Sequence, residues 1–278
     1  MKFFTYKELQ AGIPTKDDIT EAGKEVRYLF LNNFATDALV YGSLAKGTHN
    51  ERSDLDMIAI VPDGEYYAAL LRNAHIAFAN IHSAISTKNV LIIPQSITET
   101  QLNFLPSYLI ENIRIYHQDI VGDVFSKITP SNISPEEACL GYLQQKTRKC
   151  LIVLAHERNM NGESIVDALD SVFCAPKHII RNFIFLLDRV AVEPESFEAW
   201  TLENIKPFTA AQRMVGLMKS MQDENREYAR YINQWNTYFI THKKYDIDCR
   251  YLLHTGTHTL LEFLKEAYIA YQHFVVKK

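Results

Sequence analysis

The chain has 278 residues, 47% of them apolar and 22% charged, and such a composition is typical of a soluble globular protein. Only 10 Gly and 9 Pro are present, which argues against a disordered chain and against a turn-dense all-β architecture. The formal net charge of −4 disfavours a nucleic-acid partner, since nucleic-acid-binding proteins are usually basic overall.

The N-terminal sequence lacks the apolar segment and small-residue cleavage site of a secretory leader, and no apolar run is long enough to span a bilayer. The sequence therefore predicts a cytoplasmic protein with no membrane contact. Four scattered cysteines show no metal-ligand spacing and are predicted to be buried free thiols.

The first half of the chain alternates predicted helices and strands. Apolar residues recur at helical spacing after Thr15, and the helix that they predict ends at Asn32-Asn33. The further predicted elements are a strand at Ala38–Tyr41 that stops at Gly42-Ser43, a polar loop from Lys46 to Ser53, a strand from Asp54 to Val61, a helix over 65–82 and a strand from Asn89 to Ile93 that ends at Pro94.

The second half is predicted to be helical throughout. Ser134-Pro135-Glu136-Glu137 has an N-cap residue, a proline at the first helical position and an acidic residue at the third. The chain breaks at 159–162, and Ser164 with Asp167 is predicted to begin the next helix. About five helices are expected, enough for a bundle. The predicted domains are residues 1–130, which are α/β with a small mixed sheet, and residues 131–278, an all-α helical bundle.

Two short motifs carry the predicted chemistry. Gly42-Ser43 follows a strand, where glycine lets the backbone approach a phosphate and the serine hydroxyl can bind phosphate oxygens. After ten intervening residues come Asp54 and Asp56, whose i, i+2 spacing on a strand places both carboxylates on one face. Two such oxygen ligands suit a divalent cation bound to a nucleoside triphosphate. Each motif alone is nonspecific, but the two together at this spacing favour a nucleotide-transferring site.

The segment from Gly42 to Asp56 resembles the signature of the DNA polymerase β-like nucleotidyltransferase superfamily. Within it, the segment is most similar to bacterial minimal nucleotidyltransferases and to antibiotic (aminoglycoside-type) adenylyltransferases, which join an α/β unit to a C-terminal helical bundle. The resemblance of the second half is architectural only. The resemblance implies that Asp54 and Asp56 are catalytic and bind Mg²⁺, and that Gly42, Ser43, Lys46 and Ser53 bind the nucleotide, with ATP as substrate. A solvated loop lysine is an equally good interpretation of Lys46.

One position departs from the family pattern. A third carboxylate usually begins the next strand, where this chain has Asn89, and no Asp or Glu lies between Glu65 and Glu99. Asparagine can ligate a metal but cannot accept a proton at neutral pH. Another carboxylate could supply the base, the attacking group could need none, or catalysis could be lost. The helical half offers candidates without a ranking: Glu136, Glu137, Glu157, Glu163, Asp167 and Asp170.

Three functions remain open at this point. The first is Mg²⁺-dependent transfer of AMP from ATP to a hydroxyl of a small molecule, in its sharpest form an aminoglycoside-like antibiotic recognised by the helical half. The second is modification of protein or tRNA, as in toxin–antitoxin or defence systems. The third is a catalytically inactive nucleotide-binding module. A homo-oligomer is also compatible with the sequence.

Overall fold

The computed structural model describes most of the chain, namely residues 17, 20, 21, 24, 37–49, 55–85, 92–123, 130–160, 162–223 and 247–275. The chain divides into two compact units, Met1–Ser134 and Pro135–Lys278. The α/β character of the first and the helical character of the second confirm the predicted fold class.

From residue 37 onward, the described segments of the N-terminal unit contain four strands and four helices. In chain order they are β1 (Asp37–Tyr41), α1 (Gly42–Lys46), β2 (Leu55–Val61), α2 (Tyr67–Ile85), β3 (Ile92–Thr98), α3 (Glu99–Leu102), α4 (Ser107–Ile115) and β4 (Gln118–Val121). The described residues of the predicted first helix, at 17, 20, 21 and 24, are also helical.

The four strands form one mixed sheet in the order β3-β2-β1-β4. β1 is antiparallel to β2 and to β4, whereas β3 runs parallel to β2. The end of β1 therefore lies at the same edge of the sheet as the starts of β2, β3 and β4. This edge carries the described residues of the predicted site.

The two central strands are buried because their side chains are apolar on both faces. Leu55, Met57 and Ala59 on one face of β2 are fully buried, as the sequence pattern predicts. Ile58 and Ile60 on the other face are also buried and belong to a core cluster that includes residues of α3 and α4. Asp56 shares the face of Ile58 and is only half-buried, since it lies at the strand's beginning.

Two local predictions in this unit are wrong. The chain does not pass from β1 straight into a loop, because Gly42–Lys46 forms α1, which ends at Gly47 in the left-handed conformation with φ of +72°. The third strand does not end at Pro94 but continues to Thr98. Proline is tolerated there because β3 is an edge strand. The N–H group that proline lacks is therefore not needed for a hydrogen bond to a second neighbouring strand.

The C-terminal unit has five helices among its described residues, in agreement with the predicted number. They are α5 (Pro135–His156), α6 (Gly162–Asp188), α7 (Phe197–Asn204), α8 (208–223) and α9 (Ile247–Val275). α7 is shorter than the long helices predicted, and α6 begins at Gly162, before the predicted start at Ser164. No helix in the described segments of the chain has the length and apolarity to cross a membrane.

α5, α6, α8 and α9 enclose one apolar core. Phe183 of α6 and Phe263 of α9 are fully buried in it. Two cysteines, Cys139 and Cys150, are buried there as predicted, but Cys174 is exposed. Cys249 falls on a residue whose side chain lies outside the described set.

His178 of α6 is a largely buried polar residue on the edge of this core. Burial, reinforced by the cations Arg181, Lys146 and Lys177 and opposed by Glu193, lowers the pKa of His178 to about 3. The Nδ1 atom of the ring accepts a hydrogen bond from the Arg181 guanidinium at 3.3 Å. An arginine always donates, so the ring is neutral in the folded protein with its proton on Nε2.

We expect the helical unit to lose stability in acid because of this histidine. His178 binds a proton near pH 6.5 in the unfolded chain but only near pH 3 in the folded protein. The free energy of unfolding therefore falls as the pH drops from 6.5 to 3, by at most about 1.4 kcal/mol per pH unit. His178→Gln should flatten this dependence. Urea unfolding at several pH values would measure it, with His156→Gln, an exposed histidine of α5, as control. Parallel pH profiles for wild type and His178→Gln would contradict the assignment.

Candidate active site

The described residues of the predicted site, Gly42, Ser43, Lys46 and Asp56, lie where β1 ends. Tyr41, the last residue of β1, is paired with Asp56 on β2, and Val40 is paired with Gln118 on the other side. The chain then turns into α1 at Gly42. The sequence motifs Gly42-Ser43 and Asp56 are therefore neighbours across adjacent strands, although ten or more residues separate them in the chain.

Gly42 lies directly against the Asp56 carboxylate. Its φ of +76° belongs to the left-handed region, which side chains other than glycine rarely adopt. A Cβ atom placed on Gly42 would lie 2.1 Å from Oδ2 of Asp56, a distance that real Cβ atoms essentially never show. Glycine is thus required twice, by the backbone conformation and by the close approach of the carboxylate.

The hydroxyl of Ser43 has no partner among the described residues. Its Oγ atom is buried, and among the described residues nothing hydrogen-bonds to it. A buried hydroxyl without a partner costs free energy, so such groups are usually satisfied by a ligand, water or ion. A phosphate oxygen is a suitable acceptor, which agrees with the role that the sequence predicts for Ser43.

Lys46, in the last turn of α1, is half-buried rather than a fully solvated loop lysine. Its Nζ atom lies 5.3 Å from the centroid of the Tyr116 ring, within the range of a cation–π interaction. This contact connects α1 to the segment just before β4. The ammonium group is therefore held near the Gly42-Ser43 turn.

Three positions singled out from the sequence, Asp54, Ser53 and Asn89, lie outside the described residues. Their roles therefore stay predictions. The register of β3 nevertheless bears on the third carboxylate, because Ile93, not Asn89, is the residue paired with Asp56. The described part of β3 thus offers no acidic residue level with Asp56.

The acidic residues proposed from the helical half lie in the other unit. Glu136 forms an ion pair with Arg189 at 2.8 Å, and Glu157 contacts Nδ1 of His254 at 3.0 Å. Glu137 is exposed on α5, and the side chains of Glu163, Asp167 and Asp170 lie outside the described set. Glu136 and Glu157 are thus held by basic partners within their own unit.

Sequence reasoning missed Tyr116, His117 and Asp119 at the start of β4. His117 Nε2 lies 3.8 Å from Oδ2 of Asp119. The alternation of His117 and Asp119 around Gln118 was a signal for a strand with two polar residues on one face. It was too short to identify without the sheet.

The described residues supply only part of the donor set that a divalent cation needs. No group of three His, Cys, Asp or Glu side chains that could hold a metal ion occurs in the ranges that the structure describes. Asp54 is outside those ranges, and Asp56 is inside them. The Asp56 carboxylate beside Gly42 and the buried hydroxyl of Ser43 are nevertheless the kinds of group that a metal-bound triphosphate requires.

Comparisons with known proteins support the class of the N-terminal unit. Residues 21–133 match the family model described as a nucleotidyltransferase domain. This part of the chain is therefore a nucleotidyltransferase domain, and the protein is an enzyme of the nucleotidyltransferase class. No curated protein matches the chain significantly.

One solved structure, a crystal structure of a toxin–antitoxin with AMP-PNP, is similar to part of the chain. The two chains are 16% identical in sequence over the aligned region, which covers 37% of this chain and 76% of the other. The TM-score is 0.26. A likeness at this level carries no argument about substrate or partner.

Proposed function

We propose that the protein transfers AMP from ATP, in a Mg²⁺-dependent reaction, to a hydroxyl group of a small molecule. The observation that carries this proposal is the close approach of Gly42 to the Asp56 carboxylate, beside a Ser43 hydroxyl that has no partner among the described residues. A nucleoside triphosphate needs both a phosphate-binding turn and nearby carboxylates for its metal ion.

Each residue then has a defined task. Gly42, Ser43, Lys46 and Ser53 bind the phosphates. Asp54 and Asp56 would hold the divalent cation, which supplies charge stabilisation to the phosphoryl group when bound. In the reaction, the acceptor oxygen forms a bond to the α-phosphorus, the bond from that phosphorus to the bridging oxygen breaks, and pyrophosphate leaves with the electron pair of that bond. The hydroxyl proton passes to a base or to solvent.

The choice of a small acceptor rests on charge. The net charge of −4 gives no general phosphate-tracking surface, which a transferase acting on tRNA would need. Glu136, an acidic residue of the helical half of the kind that could attract a cationic antibiotic, is paired with Arg189. Charge thus supports a small hydroxylated acceptor more strongly than it supports a polycationic aminoglycoside in particular.

The test is an acceptor panel. Purified protein with Mg²⁺ and ATP labelled at the α-phosphate is offered aminoglycosides, lincosamides, neutral polyols and nucleosides, bulk tRNA and lysate protein in parallel. We expect label in a small molecule, with the same reactions lacking Mg²⁺ as controls. Label found only in tRNA or in a protein band would overturn the small-acceptor proposal, and label in none of the pools would favour an inactive nucleotide-binding module.

A further inference from the structure

A stripe of polar residues runs along α6 in the helical unit, and the proposed function gives it no task. Its members follow one another at intervals of three or four residues, so they lie on one face of the helix: Ser171, Cys174, His178 and Arg181. The face of α6 that points into the bundle is apolar, as a helix–helix contact normally is. Packing alone therefore does not account for the polar stripe beside it.

Two side chains of α5, which packs against α6, meet this stripe. The Nζ atom of Lys146 donates a hydrogen bond to Oγ of Ser171 at 3.0 Å and lies 5.1 Å from the centroid of the Tyr142 ring. The Tyr142 ring is in turn 6.2 Å from the ring of His178, centroid to centroid. Lys146 and His178 therefore flank the same aromatic ring. All four side chains are only partly buried, so a solute can reach this seam between the two helices.

The seam carries an excess of positive charge. Three cations lower the pKa of the His178 ring, namely Lys146, Lys177 and Arg181, and among the described residues only the Glu193 carboxylate opposes them. Oε2 of Glu193 lies 3.6 Å from Nζ of Lys177, and Oε1 accepts a hydrogen bond from the Arg181 guanidinium. Three cations thus share one carboxylate, in a chain whose net charge is −4. Because like charges at close range repel, a bound anion would lower the energy of this cluster.

Two N–H groups of the cluster have no hydrogen-bond partner in the part of the chain that the structure describes. Nδ1 of His178 accepts from Arg181, so the ring proton is on Nε2, and this N–H group is one of the two. The other is Nε of Arg181, which is covered by protein atoms. A ligand oxygen at the seam can therefore accept from Nε2 of His178, whereas Arg181 contributes its charge. Polar groups of this kind are normally satisfied by a ligand, an ion or water.

We infer that the seam between α5 and α6 is a binding site for a phosphate group, with the Lys146 ammonium and the His178 Nε2–H group as its hydrogen-bond donors. Phosphate matches the cluster in charge, because a dianion balances the excess of two positive charges, which a single carboxylate does not. Its oxygens also accept from several donors at once, and such bonds to charged groups are strong. The site uses residues of the helical unit alone, so it does not depend on nucleotidyl transfer.

Calorimetric titration of the full chain with inorganic phosphate and, separately, with glycerol phosphate tests this, at about pH 7.5, where a phosphate monoester is mostly a dianion. ATP and Mg²⁺ are left out, and the ionic strength is held constant. Lys146→Gln should bind about 10-fold more weakly than wild type, as expected for loss of one charge-assisted hydrogen bond. Glu193→Gln should bind several-fold more tightly, since it removes the carboxylate that competes for the same cations. The probe that wild type binds more tightly shows whether free phosphate or a phosphorylated small molecule is preferred.

Lys149→Gln is the matched control, because Lys149 is an exposed lysine of the same helix and loses the same charge; it should bind as wild type does. Ser43→Ala, changed in the N-terminal unit, should retain the binding. Equal weakening in Lys149→Gln and Lys146→Gln would show a response to net charge alone and overturn the inference. So would loss of binding in Ser43→Ala, or wild type that binds neither probe at millimolar concentration. If Lys146→Gln does not fold, Glu193→Gln decides, and binding no tighter than wild type rejects the site.

Discussion

Replacing Asp56 by asparagine is expected to reduce nucleotidyl transfer by on the order of 100-fold or more and to remove the Mg²⁺ dependence of ATP binding. The substitution keeps the size of the side chain but removes the charge that would face the cation, whose charge stabilisation is worth several kcal/mol. The fold should be retained, because Asp56 is only half-buried at the beginning of β2. Calorimetry of ATP binding with and without Mg²⁺, together with a transfer assay, measures both effects.

The matched control is Asp63→Asn, just beyond the other end of β2. The Asp63 carboxylate accepts hydrogen bonds from Thr100, and these hold its pKa below the usual range. This variant should bind ATP with Mg²⁺ as wild type does. Undiminished binding and turnover in both Asp56→Asn and Asp54→Asn would remove the metal-site assignment.

Gly42→Ala is expected to have the second large effect, and Gly47→Ala separates its two causes. Both glycines have a left-handed φ, of +76° and +72°, so either alanine should cost roughly 1–2 kcal/mol of stability. At Gly42 the new methyl group meets the Asp56 carboxylate, at 2.1 Å, whereas at Gly47 no described residue lies within 4 Å of it. Relief of that clash requires a shift of about 1 Å, and such a misplacement can cost about 100-fold in rate.

The measurement is transfer activity and unfolding free energy for both variants. Gly47→Ala should lose stability and keep its activity, whereas Gly42→Ala should lose both. If the two variants lose equal activity, backbone strain rather than the contact with Asp56 explains the role of Gly42.

The sequence predicts those parts of the candidate site that depend on short local motifs. Gly42-Ser43 after a β-prone run and the Asp-x-Asp spacing depend on strand periodicity alone, and the sheet brings Gly42 against Asp56 as that pattern requires. The helical half was predictable because long apolar periodicities and helix-start residues, such as those around Pro135, are also local signals.

Other features depended on tertiary structure. The sequence predicts a strand end at Pro94 because it does not show that β3 is an edge strand. α1 was missed because five residues are too few to show helical periodicity. The short β4, which carries Asp119, becomes meaningful only through its pairing with β1.

The central claim is nucleotidyl transfer at the Gly42–Asp56 edge, and the position of the transferred phosphorus tests it most directly. Wild-type protein with Mg²⁺ and the acceptor pools is given ATP labelled at the α-phosphate in one reaction and at the γ-phosphate in another. We predict that acceptor-bound label appears only from the α-labelled ATP, that the γ-label is recovered in pyrophosphate, and that Asp56→Asn abolishes both. Acceptor-bound label from the γ-phosphate, or γ-label released as inorganic phosphate alone, would show a different reaction and contradict the assignment.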